Sequence, residues 1–574
     1  MRKRLINHGI AVIGIAVLAF LAIASAASTP REAFNRGYAA GEARNYDQAI
    51  KEYTEAIRMY PKYAEAYNNR GLAYHGRGDY DLAIADYERA IQLNPNYTNS
   101  DTGRNLELAR RRQPLTPAQS SAQPVPTSST PEAAIVTAVA QGNNLTEKLD
   151  WLRAFAQSNS SYILEVSANE SIQAQSFSYD GKSNIVITLR GVGTNRTVTG
   201  EFTVGSGVTL VLDNNITLRE KSIIVNSGGT LIMNTGSTLI DARVSVNYGA
   251  FFTMNGGTIS DYATDKGSGI VSVYGSGGVY VGGGTFTMSG GTISNNRNSR
   301  FGSDDIDRGG GGVHVRSGTF TMSGGIISGN NSGRFDGGGV YVRGGTFTMS
   351  GGEISGNTSS GVSVGGGNFI MGNGTISGNT GSGVYVRTGT FTMRGGKISG
   401  NTGRGVYVRG GTFTMGGGEI SGNTDSGVSV SGSSNYRSSG TFTMSGGTIS
   451  GNTARENGGG VSVTGENQSY SGTFTMSGGT ISGNTAREYG GGVWVESRST
   501  FNKTGGTISG YTNDQRNGNA VKDDSGVVRN FRGHAVYAGS TPTLKIKEGT
   551  AGPGDNLSYD GTKSPPTSSG AWDN

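Results

Sequence analysis

Ten residues recur almost verbatim along this chain. "TFTMSGGTIS" stands at Thr285–Ser294, Thr441–Ser450 and Thr473–Ser482, and close variants begin at Thr319, Thr346, Thr390 and Thr412. Repetition of this kind constrains the fold before any single residue does, because each copy must bury its apolar side chains against its neighbours. It also constrains function, since side chains repeated for stacking are not chosen one by one for chemistry.

The spacing identifies the repeating unit. Phe347, Phe369, Phe391 and Phe413 are 22 residues apart, and Leu189, Leu210, Leu231 and Phe252 are 21 apart. Phe286, Phe320, Phe442, Phe474 and Phe501 continue the column at longer intervals. Each interval holds three short runs, such as "TFTM", "KIS" and "VYV" within Thr390–Val408, separated by glycine and asparagine. The runs alternate with a period of two, which marks strands. Three strands per interval make one coil of a parallel β-helix, in which each strand pairs with its counterpart about 4.8 Å away. The thirteen marked positions predict about thirteen coils within residues 161–550. Alternation places Phe391, Met393, Ile398, Val406 and Val408 inside, and Thr390, Thr392, Tyr407 and Arg409 outside. Asn357, Asn379, Asn401 and Asn423 keep the same 22-residue spacing and are expected to form an amide ladder at a turn. The apolar groups of one coil contribute less than ordering its backbone costs, so coils must fold in company.

Composition narrows the function classes. Glycine is abundant, at 99 residues, yet shows no Gly-X-Y period, which excludes collagen. The absence of cysteine excludes disulfides, thiolate metal sites and cysteine nucleophiles. Arg2, Lys3 and Arg4 supply half of the formal charge of +6. They belong to a predicted targeting peptide, so the remaining charge gives no basis for nucleic-acid binding. That peptide spans residues 1–26: a basic "MRKR", an apolar run at Ile10–Ile23, and a small-residue cleavage site at Ala24-Ser25-Ala26. The chain is therefore expected to be exported, to the periplasm, the cell surface or the medium. No other apolar segment is long enough to span a bilayer.

Residues 27–112 read as helical, with a period of 34. Gly37 matches Gly71, Ala49 matches Ala83, Tyr53 matches Tyr87, Ala56 matches Ala90 and Pro61 matches Pro95. Tyr67, Gly71, Tyr74, Ala83, Tyr87, Ala90 and Pro95 stand where the signature residues of the tetratricopeptide repeat stand, and the segment Arg31–Asn96 resembles two such repeats. Ala33 and Ala40 depart from that pattern in the first copy. The resemblance implies a protein partner held in a concave groove, with Tyr38, Tyr67, Asn68 and Tyr74 as candidate contacts. A further polar helix near Asp101–Arg112 is expected to cover the open end. Residues 113–133, rich in Pro, Ser and Thr, read as a linker. Residues 134–160 are expected to form a helical cap that covers the first sheet edge. Asn144 and Glu147 make a capping-box-like start there, with Leu145, Leu149, Leu152 and Ala156 on one face. Residues 551–574 read as an irregular tail.

The whole is thus a multidomain chain: a small all-α module followed by a long all-β parallel solenoid. Over Tyr162–Asn519 it is similar in architecture to right-handed β-helix proteins of the pectate-lyase-like and polygalacturonase-like kind. Its "GGTI", "GGEI" and "GGKI" elements resemble the repeated motif of polymorphic bacterial adhesins, and the chain as a whole resembles exported glycine-rich repeat proteins.

Candidate sites lie where repetition stops. Inserts follow Ser294 and the later "SGN" elements, and "SGSSNYRSSG" and "TGENQSYSG" lengthen a different turn after Val430 and Val463. Loops on a rigid scaffold are common places for binding. One outward column carries Tyr280, His314, Tyr341 with Arg343, Tyr385 with Arg387, Tyr407 with Arg409, and Trp494. Such an aromatic and basic stripe suits a polysaccharide or another cell-surface ligand. Asp304, Asp305 and Asp307 form the densest acidic group and are the candidate metal ligands, although they lack EF-hand spacing. No catalytic residue is assigned and no cofactor is expected; "GSGGVYVGGG" has no following helix and is not a dinucleotide fingerprint. The expected function is that of an exported, non-enzymatic interaction scaffold, adhesin-like. The alternatives are a polysaccharide-active β-helix enzyme and a periplasmic assembly factor.

Overall fold

The computed structural model describes residues 30–61, 63–93, 101–111, 136–263, 277–298, 309–333, 337–467, 469–510, 518–528, 535–538, 543–546 and 557–559. The expected targeting peptide, the linker at 113–133, most of the tail and the acidic group Asp304, Asp305 and Asp307 lie outside these residues. The chain divides into two compact units, Met1–Glu132 and Ala133–Asn574.

The first unit is helical: α1 (Pro30–Glu42), α2 (Tyr46–Met59), α3 (Ala64–Arg77), α4 (Tyr80–Leu93) and α5 (Asp101–Arg110). Helices α1 and α2 pack as one pair and α3 and α4 as the next. The side chain of Asn45 accepts a hydrogen bond from the Gln48 amide at 3.3 Å and so starts α2. Gly78, in the left-handed region at φ 91°, ends α3. The signature glycines exist to admit an aromatic ring. A Cβ on Gly37 would lie 2.8 Å from the Tyr53 ring, and one on Gly71 would lie 2.9 Å from the Tyr87 ring. Where the first copy lacks the early signature aromatic, Phe34 fills the space. It is buried, with its ring 5.4 Å from Tyr53 and 5.0 Å from Tyr63. Helix α5 buries Leu106 and Ala109 against Leu72, Ala83 and Tyr87.

The second unit is a parallel β-solenoid. In a typical coil, strand Thr390–Met393 is followed by Lys397–Ser399 and Val406–Arg409. These pair in register with the next coil: Phe391 with Phe413, Ile398 with Ile420 and Val406 with Val428. The first and third strands of each coil belong to one long sheet and the second to another. Phe391, Met393, Ile398, Val406 and Val408 are fully buried, as alternation requires. From Phe252 to Phe501 the phenylalanines form one continuous stack, with neighbouring ring centroids 4.6–4.9 Å apart and planes within 12°.

The amide ladder is longer than the regular spacing shows. It runs from Asn296 through Asn330, Asn357, Asn379, Asn401, Asn423, Asn452 and Asn484 to Asn519, every member at most 1% exposed. Each Nδ2 donates to the next Oδ1 at 2.8–3.0 Å. Each backbone amide donates to that same oxygen at 2.9–3.1 Å. The glycine pair of the repeat has an equally local cause. Gly396 sits at φ 82°, and a Cβ there would lie 2.6 Å from Met371 Cε, while a Cβ on Gly395 would lie 2.3 Å from the Gly372 carbonyl oxygen.

The pairing corrects one expected register. Leu210 pairs with Ile187, and Leu189 pairs with Leu212, so Leu189 does not head the phenylalanine column. Both Ile187 and Leu189 are buried on the same face, and spacing alone cannot choose between two inward positions of one strand. The column instead begins with Ala138, Tyr162, Ile187 and Leu210, and passes from Phe501 to Leu544. Strand Val136–Val139, ahead of the expected cap helix, pairs with Ser160–Ile163. The cap helix itself, α6 (Leu145–Phe155), buries Leu145, Leu149 and Leu152 in the solenoid core. Its start is a variant of the capping box: Asn144 Oδ1 accepts from the Glu147 amide at 2.9 Å, while Glu147 accepts from the Asn143 amide at 2.7 Å, one residue ahead of the cap, and from Asn144 Nδ2 at 2.8 Å.

Candidate interaction surfaces

In the helical unit, Tyr67 and Tyr74 come together around Arg70. The guanidinium carbon of Arg70 lies 5.5 Å from the Tyr67 ring centroid and 5.8 Å from that of Tyr74. Arg89 also meets Tyr67, at 5.8 Å, and Arg77 meets Tyr74, at 5.5 Å. Arg70 in turn holds Asp86 with two bonds, Nε to Oδ2 at 2.7 Å and Nη2 to Oδ1 at 2.8 Å, and donates to Thr54 Oγ1 at 3.1 Å. Burial pushes the Asp86 carboxyl above its usual range against the opposing pull of Arg70. Asn68, expected to face a ligand, is instead 1% exposed. Helix α5 covers it: Thr102, one repeat period on, donates to Asn68 Oδ1 at 2.8 Å, and Asn68 Nδ2 donates to Asn69 at 3.1 Å. Tyr38 packs, half-buried, against the separate cluster of the first repeat.

On the solenoid, the expected aromatic column exists in register but is not one open stripe. Tyr280, His314 and Tyr341 are consecutive, Ser363 intervenes, Tyr385 and Tyr407 follow, and Ser429 and Ser462 separate these from Trp494 and Tyr537. His314, Tyr341 and Tyr385 are buried, although they sit on the outward side of the strand. The reason is local. A Cβ on Gly309 would lie 2.3 Å from the Tyr341 ring, and one on Gly365 would lie 2.8 Å from its hydroxyl, so neighbouring glycine backbones close over the ring. The rings also pack on one another: His314 lies 5.1 Å from Tyr341, Tyr385 stacks on Tyr407 at 5.1 Å, and Tyr489 stacks on Tyr537 at 4.4 Å. Tyr280, Tyr407 and Trp494 remain half-exposed, as do Arg343, Arg387 and Arg409.

Two insert hairpins claim part of this face. Tyr436 reaches back to Arg387, whose Nε donates to the phenol oxygen at 3.0 Å with its guanidinium 5.0 Å from the ring centroid. Glu466, on the next insert, pairs with Arg409 at 3.3 Å and accepts from the Ser434 amide and hydroxyl, both at 2.6 Å. The Ser434 hydroxyl and amide, helped by Arg409, hold the Glu466 carboxyl below its usual range. The sequence signalled these inserts by their length, but not which arginines they would engage. Among the described residues no group of three or more His, Cys, Asp or Glu side chains is placed to hold a metal ion, and no helix is long and apolar enough to cross a membrane.

Comparison with protein families agrees with both architectures. Residues 34–98 match the family model described as tetratricopeptide repeat, and residues 338–508 match that described as right-handed β-helix region. The chain joins a tetratricopeptide module to a right-handed parallel β-helix. No curated protein matches it. The two architectures together support a protein-binding repeat protein, with the tetratricopeptide module pointing to protein–protein interaction.

Proposed function

We propose that this protein is an exported, non-enzymatic interaction scaffold, adhesin-like, acting at the cell surface or in the periplasm. The tetratricopeptide module recruits a protein partner, and the β-helix displays inserts and the accessible parts of its Tyr/Arg face to a second ligand. One observation carries this reading. The repeating side chains of the β-helix are taken up by the phenylalanine stack and the asparagine ladder, while departures from repetition are gathered in inserts at matched turns. That division of labour is the physics of a display scaffold.

Protease shaving of intact cells, followed by fractionation, tests location: loss of the full-length band on shaving is the expected result. Retention in the cytoplasm removes the whole reading, and retention in the periplasm removes its surface-adhesin part. For the helical module, co-purification of a partner with the full chain, and its loss when residues 31–112 are deleted, is expected. An unchanged partner set without those residues excludes recruitment by the module.

A further inference from the structure

We infer that the outward face of the first strand of each coil is an ice-binding surface. It is a flat, uncharged, two-column array of threonine side chains, and its two repeat distances lie close to those of the oxygen atoms on the prism face of ice. The inference goes beyond the scaffold reading and does not rest on it.

The array begins at Thr285 and Thr287 and ends at Thr473 and Thr475, and its eight successive coils pair in register. Every coil but one presents threonine on both sides of the buried phenylalanine; the exception carries Asn368 and Ile370. No residue of either column is charged. Seven coil steps of about 4.8 Å make the array about 34 Å long, and a two-residue step along the strand sets its columns about 6.7 Å apart. Its threonines are half-buried or exposed, and among the described residues none of their hydroxyls is engaged by another protein group.

The face is also flat. Neighbouring strands of an ordinary sheet are rotated by about 20–25°. Beneath this array successive phenylalanine rings lie 4.6–4.8 Å apart with their planes only 5–7° from parallel. Stacked side chains and side-chain ladders are what keep a many-stranded sheet untwisted, and the phenylalanine stack and the asparagine ladder supply both. In the regular coils Gly345, Gly367, Gly389 and Gly411 directly precede the array positions, so no side chain rises along that border.

Strand propensity alone does not produce such a face. Valine, isoleucine and tyrosine suit an outward strand position as well as threonine does, and the other outward columns of the same coils use that freedom. On the second strand Lys397 pairs with Glu419 at 3.0 Å. The third strand carries tyrosine, histidine, serine and tryptophan at equivalent positions. The first strand keeps a methyl and a hydroxyl at almost every array point.

The same composition selects the ligand. A surface of divalent cations calls for carboxylates, an acidic polymer for cations, and a sugar for an open aromatic face; the array offers none of these. It also lacks the central pocket or anchor around which protein interfaces are built. A planar lattice of water fits. Oxygen atoms on the prism face of hexagonal ice repeat along two perpendicular axes, at spacings close to the coil step and the two-residue step. Threonine hydroxyls take hydrogen-bonding positions of that lattice, where ordered water bonds almost as well as a protein group, and the methyls fill the troughs between them.

The test uses the purified full chain in nanolitre osmometry and in an ice-recrystallisation assay. Wild type is expected to shape growing ice crystals, to open a gap between their melting and freezing points, and to keep crystals small on annealing. Thr392→Lys, near the centre of the array, and Thr348→Tyr, two coils away, are each expected to lose most of that gap with the protein's melting temperature unchanged; either one decides the matter if the other fails to fold. Thr375→Lys, on the second strand, is expected to keep the gap. Ice that grows as it does in an equal mass of albumin, equal gaps in wild type and the array variants, or an equal loss in Thr375→Lys each overturn the proposal. Adsorption to crystalline cellulose that depends on Thr392, without any effect on ice, also overturns it, in favour of a polymer lattice. These readouts need only purified protein, so their failure leaves the cell-shaving test of the scaffold reading intact.

Discussion

Asn401 is the most informative single position in the solenoid, because its side chain serves three coils at once. Its Nδ2 donates to Asn423 Oδ1 at 2.9 Å and to the Ile376 and Ser399 carbonyls at 3.3 Å. Its Oδ1 accepts from the Asn379 amide at 3.1 Å and from Asn379 Nδ2 at 2.9 Å. Asn401→Ala removes all five contacts from a site that water does not reach. The losses are unequal. Asn423 Oδ1 keeps the Asn401 backbone amide as a donor, and Asn379 Nδ2 keeps the Ile354 and Ser377 carbonyls. The Asn379 amide has no second acceptor and becomes an orphan, which costs about 1–3 kcal/mol. The lost net bonds add about 1 kcal/mol each for the two or so that are not replaced, giving a total of about 3–5 kcal/mol. The assay is urea unfolding combined with residue-resolved hydrogen exchange. The midpoint is expected to fall, and protection at the Asn379 amide to collapse, while amides around Leu231 keep theirs. Isosteric Asn401→Asp, which keeps the acceptor and loses both donor hydrogens, is expected to spare the Asn379 amide but destabilise the side facing Asn423. A loss below about 1 kcal/mol in Asn401→Ala, or exchange at Asn379 that does not change, would refute the view that the ladder is a structural necessity.

Two further outcomes follow from the same geometry. Arg70→Met strands the buried Asp86 carboxylate and is expected to cost about 3–5 kcal/mol, whereas Arg70→Met with Asp86→Leu recovers most of that loss; helical melting at the far-ultraviolet band distinguishes the two, and a double variant as unstable as the single one excludes the explanation. Gly396→Ala forces a Cβ into a left-handed residue and onto Met371 Cε, for a cost of about 2–4 kcal/mol. Adding Met371→Ala is expected to give a favourable coupling of about 1 kcal/mol, and strictly additive unfolding energies would show that the contact is not the cause.

Most of the fold was legible because it is written in one dimension. A side chain that must stack on its own copy has to recur at the coil period, so Phe369, Phe391 and Phe413 announce their contacts by spacing alone. The same holds for Gly37 with Tyr53 and Gly71 with Tyr87, where the 34-residue period carries the packing. Legibility failed where two positions satisfy one pattern. Ile187 and Leu189 are both inward and apolar, and only the hydrogen-bonded pairing chooses between them. It failed again at Val136–Val139, a strand too short and too isolated to show a period, whose partner lies beyond the cap helix.

The candidate sites were less legible, for a different reason. Alternation states on which side of a strand a residue points, but not whether that side stays open. Tyr341 points outward and is buried because the glycines at 309 and 365 let neighbouring backbone close over it; the signal was present in the sequence as glycine, yet glycine was already explained by the repeat. Asn68 is removed from the groove by Thr102, a residue one repeat period away in a helix that reads only as a polar cap. In both cases the covering group belongs to a different coil or helix, so no pattern local to the site contains it.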